Sequence, residues 1–221
     1  MRVFLASPNS QMQAHAANGM DVLLSYALYP KWMNSWVRSF RSILIDSGAY
    51  SELTGNAKVD VVAYAEWAQT QDCVAWAGLD DIRGDWRRSL ANYAHGGFPT
   101  IHDTDPPGLL DDLIPLARAR RGWIGVGLKP PRHGKEFWVR STLDRIPDDL
   151  HVHGWALRRY TRCARLDSVD STNWFRDAQK ILTHHNTRHL TPGEALDIVV
   201  KRYQRWEREV VDPHPSLLEA S

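Results

Sequence analysis

The chain has 221 residues, 43% of them hydrophobic and 24% charged, with a formal net charge of +1. That length sustains one sizeable core and is short for two full domains. The near-neutral charge excludes bulk polyanion binding by charge alone, and no apolar run approaches the roughly 20 residues of a membrane span.

The N-terminal stretch MRVFLASPNS lacks a full signal-peptide core and reads as a first strand, so a cytoplasmic location is expected. Short, nearly continuous apolar runs then recur at Val22–Tyr26, Ser42–Asp46, Val74–Leu79, Pro99–His102, Trp123–Leu128, His151–Trp155 and Leu166–Asp170. With Arg2–Ser7 they make eight strands, each apolar on both faces as strands of a parallel sheet are. Helices are expected between them: Gln11–Gly19, Val61–Thr70 with Asp60 as N-cap, Asp85–Tyr93, Pro107–Arg120, Lys135–Ile146, Ala156–Cys163 and Thr172–Leu182. A further helix, Pro192–Val210, follows the last strand, and the His-containing stretch Thr183–Thr191 reads as a loop. Eight alternating strands and helices predict an α/β fold, a single compact (β/α)8 TIM barrel with an extra C-terminal helix. Residues 1–210 would form it and 211–221 a frayed tail.

Cys73 and Cys163 form neither a metal knuckle nor a disulfide framework and are expected as small buried hydrophobes. Arginine outnumbers lysine, 21 to 6. Its clusters at Arg83/Arg87/Arg88, Arg118/Arg120/Arg121 and Arg158/Arg159/Arg162/Arg165 read either as solvated helix faces or as a phosphate-gripping rim.

Barrel active sites form at the C-terminal strand ends. There the sequence places Asp46-Ser47-Gly48-Ala49-Tyr50, Asp80-Asp81, His102-Asp103, Gly125-Val126-Gly127, His153-Gly154-Trp155 and Asp167 to Ser171. Carboxylates crowded in one partly dehydrated mouth have their proton affinities driven apart, so one serves as nucleophile and another as acid. Asp46 and Asp170, each following a β-branched apolar strand, are the candidate pair. Asp167 is a third candidate, deeper in its strand and on the opposite face. Gly48 and the Gly125/Gly127 pair suggest turns or a close approach of ligand to backbone.

The run Ile45–Tyr50 resembles the D-S-G-(G/A)-(F/Y) signature of tRNA-guanine transglycosylases. Leu166–Ser171 resembles their eighth-strand motif, Gly78–Asp81 the base-recognising stretch, and Trp123–Leu128 the glycine-containing base-binding strand. With Ser168–Trp174 reading S-V-D-S-T-x-W, the chain is most similar to the shorter, phage-associated 7-deazaguanine DNA transglycosylases. The resemblance implies an exchange of guanine in DNA for a 7-deazaguanine base through a covalent glycosyl–aspartate. Asp170 would be the nucleophile, with Asp167 the other candidate, and Asp46 the proton shuttle. Asp80 would recognise the base, helped by Asp81, His102 and the backbone at Gly125, Val126 and Gly127. Ser47 and Gly48 would shape the turn, Tyr50 or Trp155 would stack on the base, and His153 would line the site. Trp76, Trp123, Trp138 and Trp174 would help enclose it.

The tRNA enzymes carry a zinc site built from clustered Cys and a His; this chain has no cysteine after Cys163, and His184, His185 and His189 lack such partners. No zinc subdomain, metal or cofactor is therefore expected, and DNA is favoured over RNA as partner. The alternatives are a hydrolytic N-glycosidase or deoxyribosyltransferase using the same carboxylates, a tRNA-type enzyme acting on RNA, and a non-catalytic nucleic-acid-binding subunit.

Overall fold

The computed structural model describes residues 1–55, 57–129, 134–157, 160, 165–184 and 189–211, the last three of these as backbone. Eight parallel strands form one sheet: β1 (Arg2–Ala6), β2 (Asp21–Ser25), β3 (Ser42–Asp46), β4 (Ala75–Trp76), β5 (Thr100–His102), β6 (Trp123–Gly127), β7 (His151–Trp155) and β8 (Ser168–Ser171). Their spatial order is β4-β3-β2-β1-β8-β7-β6-β5. The two outer strands meet: Ala77 bridges Phe98, the Gly78 N–H donates to the Phe98 carbonyl at 2.8 Å, and the Phe98 N–H donates to the Trp76 carbonyl at 2.9 Å. The sheet thus curls onto itself as a (β/α)8 barrel, as the apolar runs predict.

The helices are α1 (Gln11–Ala16), α2 (Ala49–Leu53), α3 (Val61–Gln69), α4 (Trp86–Tyr93), α5 (Leu109–Ala119), α6 (Glu136–Arg145), α7 (Asn173–Thr183) and α8 (Pro192–Val211). Asp60 caps α3, its carboxylate accepting the N–H groups of Val62 and Ala63 at 2.9 and 3.0 Å. Most boundaries shift by a residue or two, and β4 shrinks from the expected Val74–Leu79 to Ala75–Trp76. α1 stops at Ala16, where a turn through Gly19 (φ +72°) carries the chain into β2. α5 starts two residues after Pro107, because the prolines shape the preceding turn, with the Leu109 N–H on the Pro106 carbonyl. Between β2 and β3 three 3-10 turns replace a helix. The expected helix Ala156–Cys163 lies mostly outside the described residues, as do Arg158, Arg159, Arg162, Cys163, His185 and the tail 212–221.

Period-two alternation splits the apolar residues into two layers. Phe4, Ala6, Leu23, Leu44, Ala75, Ala77, Phe98 and Trp123 point inward and fill the barrel. Val3, Leu5, Val22, Leu24, Ile43, Ile45, Ile124, Val126, Val152 and Val169 point outward, under the helices. At the N-terminal ends of the strands, Arg41 bonds fully buried Asp21 through Nε at 2.9 Å and also reaches Glu207 of α8 at 2.8 Å. Glu207 in turn accepts the Val3 N–H at 3.0 Å. This staple fastens the last helix to the first three strands. Among the described residues no helix is long and apolar enough to cross a membrane.

The seam depends on a glycine. Gly97 has φ +77°, and a Cβ on it would lie 2.4 Å from the Gly78 nitrogen and 2.7 Å from the Ala77 carbonyl carbon. Gly97→Ala must therefore force the β4 and β5 segments apart. It should cost at least about 2 kcal/mol in urea unfolding. Gly19→Ala, at similar φ but with nothing within 4 Å, should cost only the backbone strain, about 1 kcal/mol. Equal losses at the two positions would show that the seam is not what Gly97 protects.

Candidate active site

Asp46 is the last residue of β3, and the strand alternation aims it inward with Leu44 and Ser42. The chain then turns sharply through Gly48, at φ +87°, where a Cβ would stand 2.3 Å from the Ala27 Cβ. The turn folds the Gly48 N–H back onto the Asp46 carboxylate, and buried Ser47 starts α2 by accepting the Ala49 N–H at 3.3 Å. Burial pushes the Asp46 carboxyl up to about 6, the charges of Asp80 and Asp170 adding to the rise. The Gly48 N–H opposes it, as does the nearby Ser25 hydroxyl, which is buried and in no regular hydrogen bond.

Asp170 comes from β8, directly beside Phe4 of β1. Its Oδ1 accepts the Ala156 N–H at 2.6 Å. To present that N–H, Ala156 adopts φ +53°, a left-handed conformation that costs a non-glycine residue free energy. Fully buried His153 lies behind: Nδ1 is 2.8 Å from the Ser168 hydroxyl, and Nε2 is 3.7 Å from Asp170 Oδ1 with no hydrogen bond of its own. A carboxylate facing Nε2 favours the tautomer with the proton there, Ser168 donating to Nδ1. The ring is held edge-on by Phe4 and Trp155.

Asp80 follows β4 and meets His102, the last residue of β5, at 3.2 Å from Nε2. On the other side of His102, Asp105 stands 3.6 Å from Nδ1 and accepts the His102 N–H at 2.8 Å. Burial raises the Asp80 proton affinity, with His102 and Lys129 opposing and Asp105 reinforcing the rise. A shallow, open cleft lies beside this cluster, lined by Ala49 and Glu52 of α2, by Asp80, Asp81 and Arg83, and by Arg88 and Asn92 of α4. Among the described residues no three His, Cys, Asp or Glu side chains are arranged to hold a metal ion.

Three carboxylates, Asp46, Asp80 and Asp170, thus share one mouth with His102 and His153. Asp81 stands at its edge, committed to the Arg83 N–H at 2.8 Å and to Arg88 at 3.3 Å. Tyr50 lies on the rim of α2, 57% exposed. Other sequence candidates fall elsewhere. Asp167 enters β8 at the opposite end: its Oδ2 accepts the Val152 N–H at 2.7 Å and its carbonyl the Arg2 N–H at 2.8 Å. At about 3.3 Å per residue it sits about 10 Å below Asp170, outside the mouth. Val126 faces the helices. Gly125 offers no bare backbone to a base, since a Cβ there would be 2.4 Å from both Thr100 Oγ1 and Trp155 Nε1. Gly127 makes room for His102, 3.0 Å from its would-be Cβ. Trp155 is spent on packing: Nε1 donates to Thr100 at 3.0 Å and the indole stacks on Phe98. Trp123 and Trp174 are likewise buried in the core.

The arginine clusters divide. Arg83 and Arg88 border the cleft. Arg118 and Arg121 lie at the far end of the barrel, bonded to Asp149 and to the Cys73 carbonyl, so they form no rim around the mouth. Arg165, just before β8, binds the carbonyls of Ile146 and Pro147. Asp105, Lys129 and Ala156 were not legible as site residues; for Lys129 the available signal is its position two residues beyond buried β6.

The raised proton affinity of Asp46 has a stability consequence. Its folded value of about 6 exceeds the ordinary 3.8, so the folded state keeps the proton longer than the unfolded chain. Stability is fully present below about pH 3.8 and declines as pH rises to about 6. Asp46→Asn should therefore stabilise the protein at pH 8 by on the order of 2 kcal/mol in urea unfolding, with the gain shrinking as pH falls toward 4. A pH-independent difference would show that the carboxyl is not held protonated.

No protein-family model matches the chain, and no curated protein matches it. Among solved structures it is similar to the YdjI aldolase from Escherichia coli K12, at 11% identity and a TM-score of 0.36, over 94% of this chain and 90% of that one.

Proposed function

We propose that the protein is a base-exchange glycosyltransferase that replaces guanine in DNA with a 7-deazaguanine derivative through a covalent aspartyl–glycosyl intermediate. The reading is carried by two aspartates in unlike settings within one mouth. Asp46 is raised toward neutrality by burial and neighbouring charge, while Asp170 is held by a backbone N–H beside His153.

In the first half-reaction the Asp170 carboxylate attacks C1′ of the target nucleotide. The C1′–N9 bond breaks, its electron pair leaves with the base, and Asp46 supplies the proton that neutralises the departing guanine. In the second half, Asp46, now a carboxylate, takes the N9 proton of the incoming base as N9 attacks C1′ and frees Asp170. Two displacements retain configuration. Asp80, facing the cleft with His102 behind it, accepts the N–H donors of the base edge. Arg83 and Arg88 at the cleft border provide positive charge toward a phosphate backbone without reading sequence. Tyr50 on the rim presents an exposed ring for stacking.

Labelled guanine incubated with the protein and double-stranded DNA should enter the DNA, and RNA in parallel should take up less. Asp170→Asn should reduce exchange by on the order of 10³ or more. Incorporation unchanged in Asp170→Asn, or release of free base without an acceptor, would remove the proposal in favour of another nucleophile or of hydrolysis.

The pH dependence separates the roles. Because departure of the base requires protonated Asp46, the rate of DNA–protein adduct formation should fall tenfold per unit above about pH 6. A profile flat from pH 5 to 8 would exclude Asp46 as the acid.

A further inference from the structure

Lys129 is a buried ammonium for which the described residues supply no acceptor. It extends β6 by two residues at the mouth, and its backbone N–H is pinned to Asp103 Oδ1 at 2.8 Å. The other oxygen of that carboxylate is taken by the Lys135 ammonium, so Asp103 does not neutralise Lys129. The Lys129 residue is 8% exposed, and among the described residues its Nζ has no hydrogen-bond partner. A lysine ordinarily snorkels its charge to water or pairs it. This one lies near enough to Asp80 for its charge to oppose the rise in that carboxyl's proton affinity. The β4–α4 turn passes close by at Gly84, where φ is +112° and an added Cβ would stand 3.7 Å from Nζ. The neighbouring Arg83, Asp81 and Asp80 border the cleft.

A carboxylate that accepts and an ammonium that donates therefore stand together at one corner of the mouth. We propose that Lys129 is a specificity-determining residue that donates to a carbonyl oxygen lying next to the N–H edge read by Asp80. This rests on the base-exchange reading and deepens it. The selected ligand is a base with an exocyclic oxygen beside ring and amino N–H donors, and a base lacking that oxygen leaves the ammonium unsatisfied. Rejection by an unpaired buried polar group is far stronger than rejection by a missing apolar contact.

Three free bases separate the contacts. Guanine has both features, 2-aminopurine lacks the oxygen and with it the neighbouring ring N–H, and hypoxanthine lacks only the amino group. Binding is read by quenching of tryptophan fluorescence in the wild type, Lys129→Met and Lys129→Gln. The wild type should prefer guanine to 2-aminopurine by tenfold or more. Lys129→Met should cut that preference by tenfold or more, leaving the part due to the ring N–H read by Asp80, and should leave guanine over hypoxanthine intact, because Asp80 is untouched. Lys129→Gln, which keeps an N–H donor, should restore part of it. Removing an unpaired buried charge should also raise the Tm of Lys129→Met, and if Met is not tolerated at this position, the Gln variant alone must show a reduced preference. A preference for guanine over 2-aminopurine that stays undiminished in both variants overturns the role of Lys129 and leaves base exchange standing. Failure of the folded wild type to bind any of the three bases overturns both.

Discussion

Mutual repulsion among carboxylates in one partly dehydrated mouth is the constraint around which the rest of this structure is arranged. Asp46, Asp80 and Asp170 come from β3, the end of β4 and β8, and the negative charges of the other two both raise the Asp46 proton affinity. Water would screen such charges; burial removes much of that screening and drives one group toward its neutral form. The barrel makes this crowding unavoidable. A closed parallel sheet sends the inward side chain at every strand end to the same opening. The hydrophobic layer beneath, from Phe4 to Trp123, denies water access from below.

The two ends of the barrel meet their polar demands differently. At the N-terminal ends, buried Asp21 is answered by Arg41 and by the Ser42 hydroxyl at 2.7 Å, and Arg41 passes on to Glu207. Asp167 is satisfied there by the Val152 N–H. At the mouth, buried polar atoms are left open: Ser25 Oγ, His153 Nε2 and Lys129 Nζ. Two further atoms without a hydrogen bond belong to guanidinium groups, and Arg165 Nε lies 3.4 Å from Asp148 while Nη2 bonds carbonyls. Such orphans are costly in a folded chain, and among the described residues three of them gather around the carboxylates.

How much of this was legible follows from the physics of each element. All eight strands could be read because both faces of a barrel strand are buried, leaving short apolar runs between polar helices. The segment after β2 carries no helical period, and its aromatics pack on α3 instead, Tyr26 and Tyr29 against Trp67 at 5.1 and 5.0 Å. Asp46 and Asp170 were legible because strand ends plus alternation dictate both height and face. Asp167 lies where alternation puts it, deeper in the strand and on the other face, and three residues of chain are enough to take it out of the mouth. Gly125 and Gly127 were misread. A glycine in a strand signals close approach without naming the partner, and here the partners are Trp155 and His102. Lys129 escaped notice because a lone lysine after a strand is ordinarily a solvated surface residue.

What differentiates the two central aspartates is not residue type but the donor each receives. Asp46 takes an N–H from a glycine whose left-handed turn comes at little conformational cost, and it sits among other negative charges. Asp170 takes an N–H from Ala156, an alanine forced into the left-handed region, and has a histidine nitrogen 3.7 Å away. The fold accepts backbone strain at Ala156 in order to fix the Asp170 carboxylate in place. Asp46 is met by the N–H of its own turn and by the nearby Ser25 hydroxyl. A nucleophile must be held at a set height and angle to C1′, whereas a proton shuttle must meet both a departing and an arriving base. The unlike settings of the two aspartates therefore fit the unlike geometric demands of the two proposed roles.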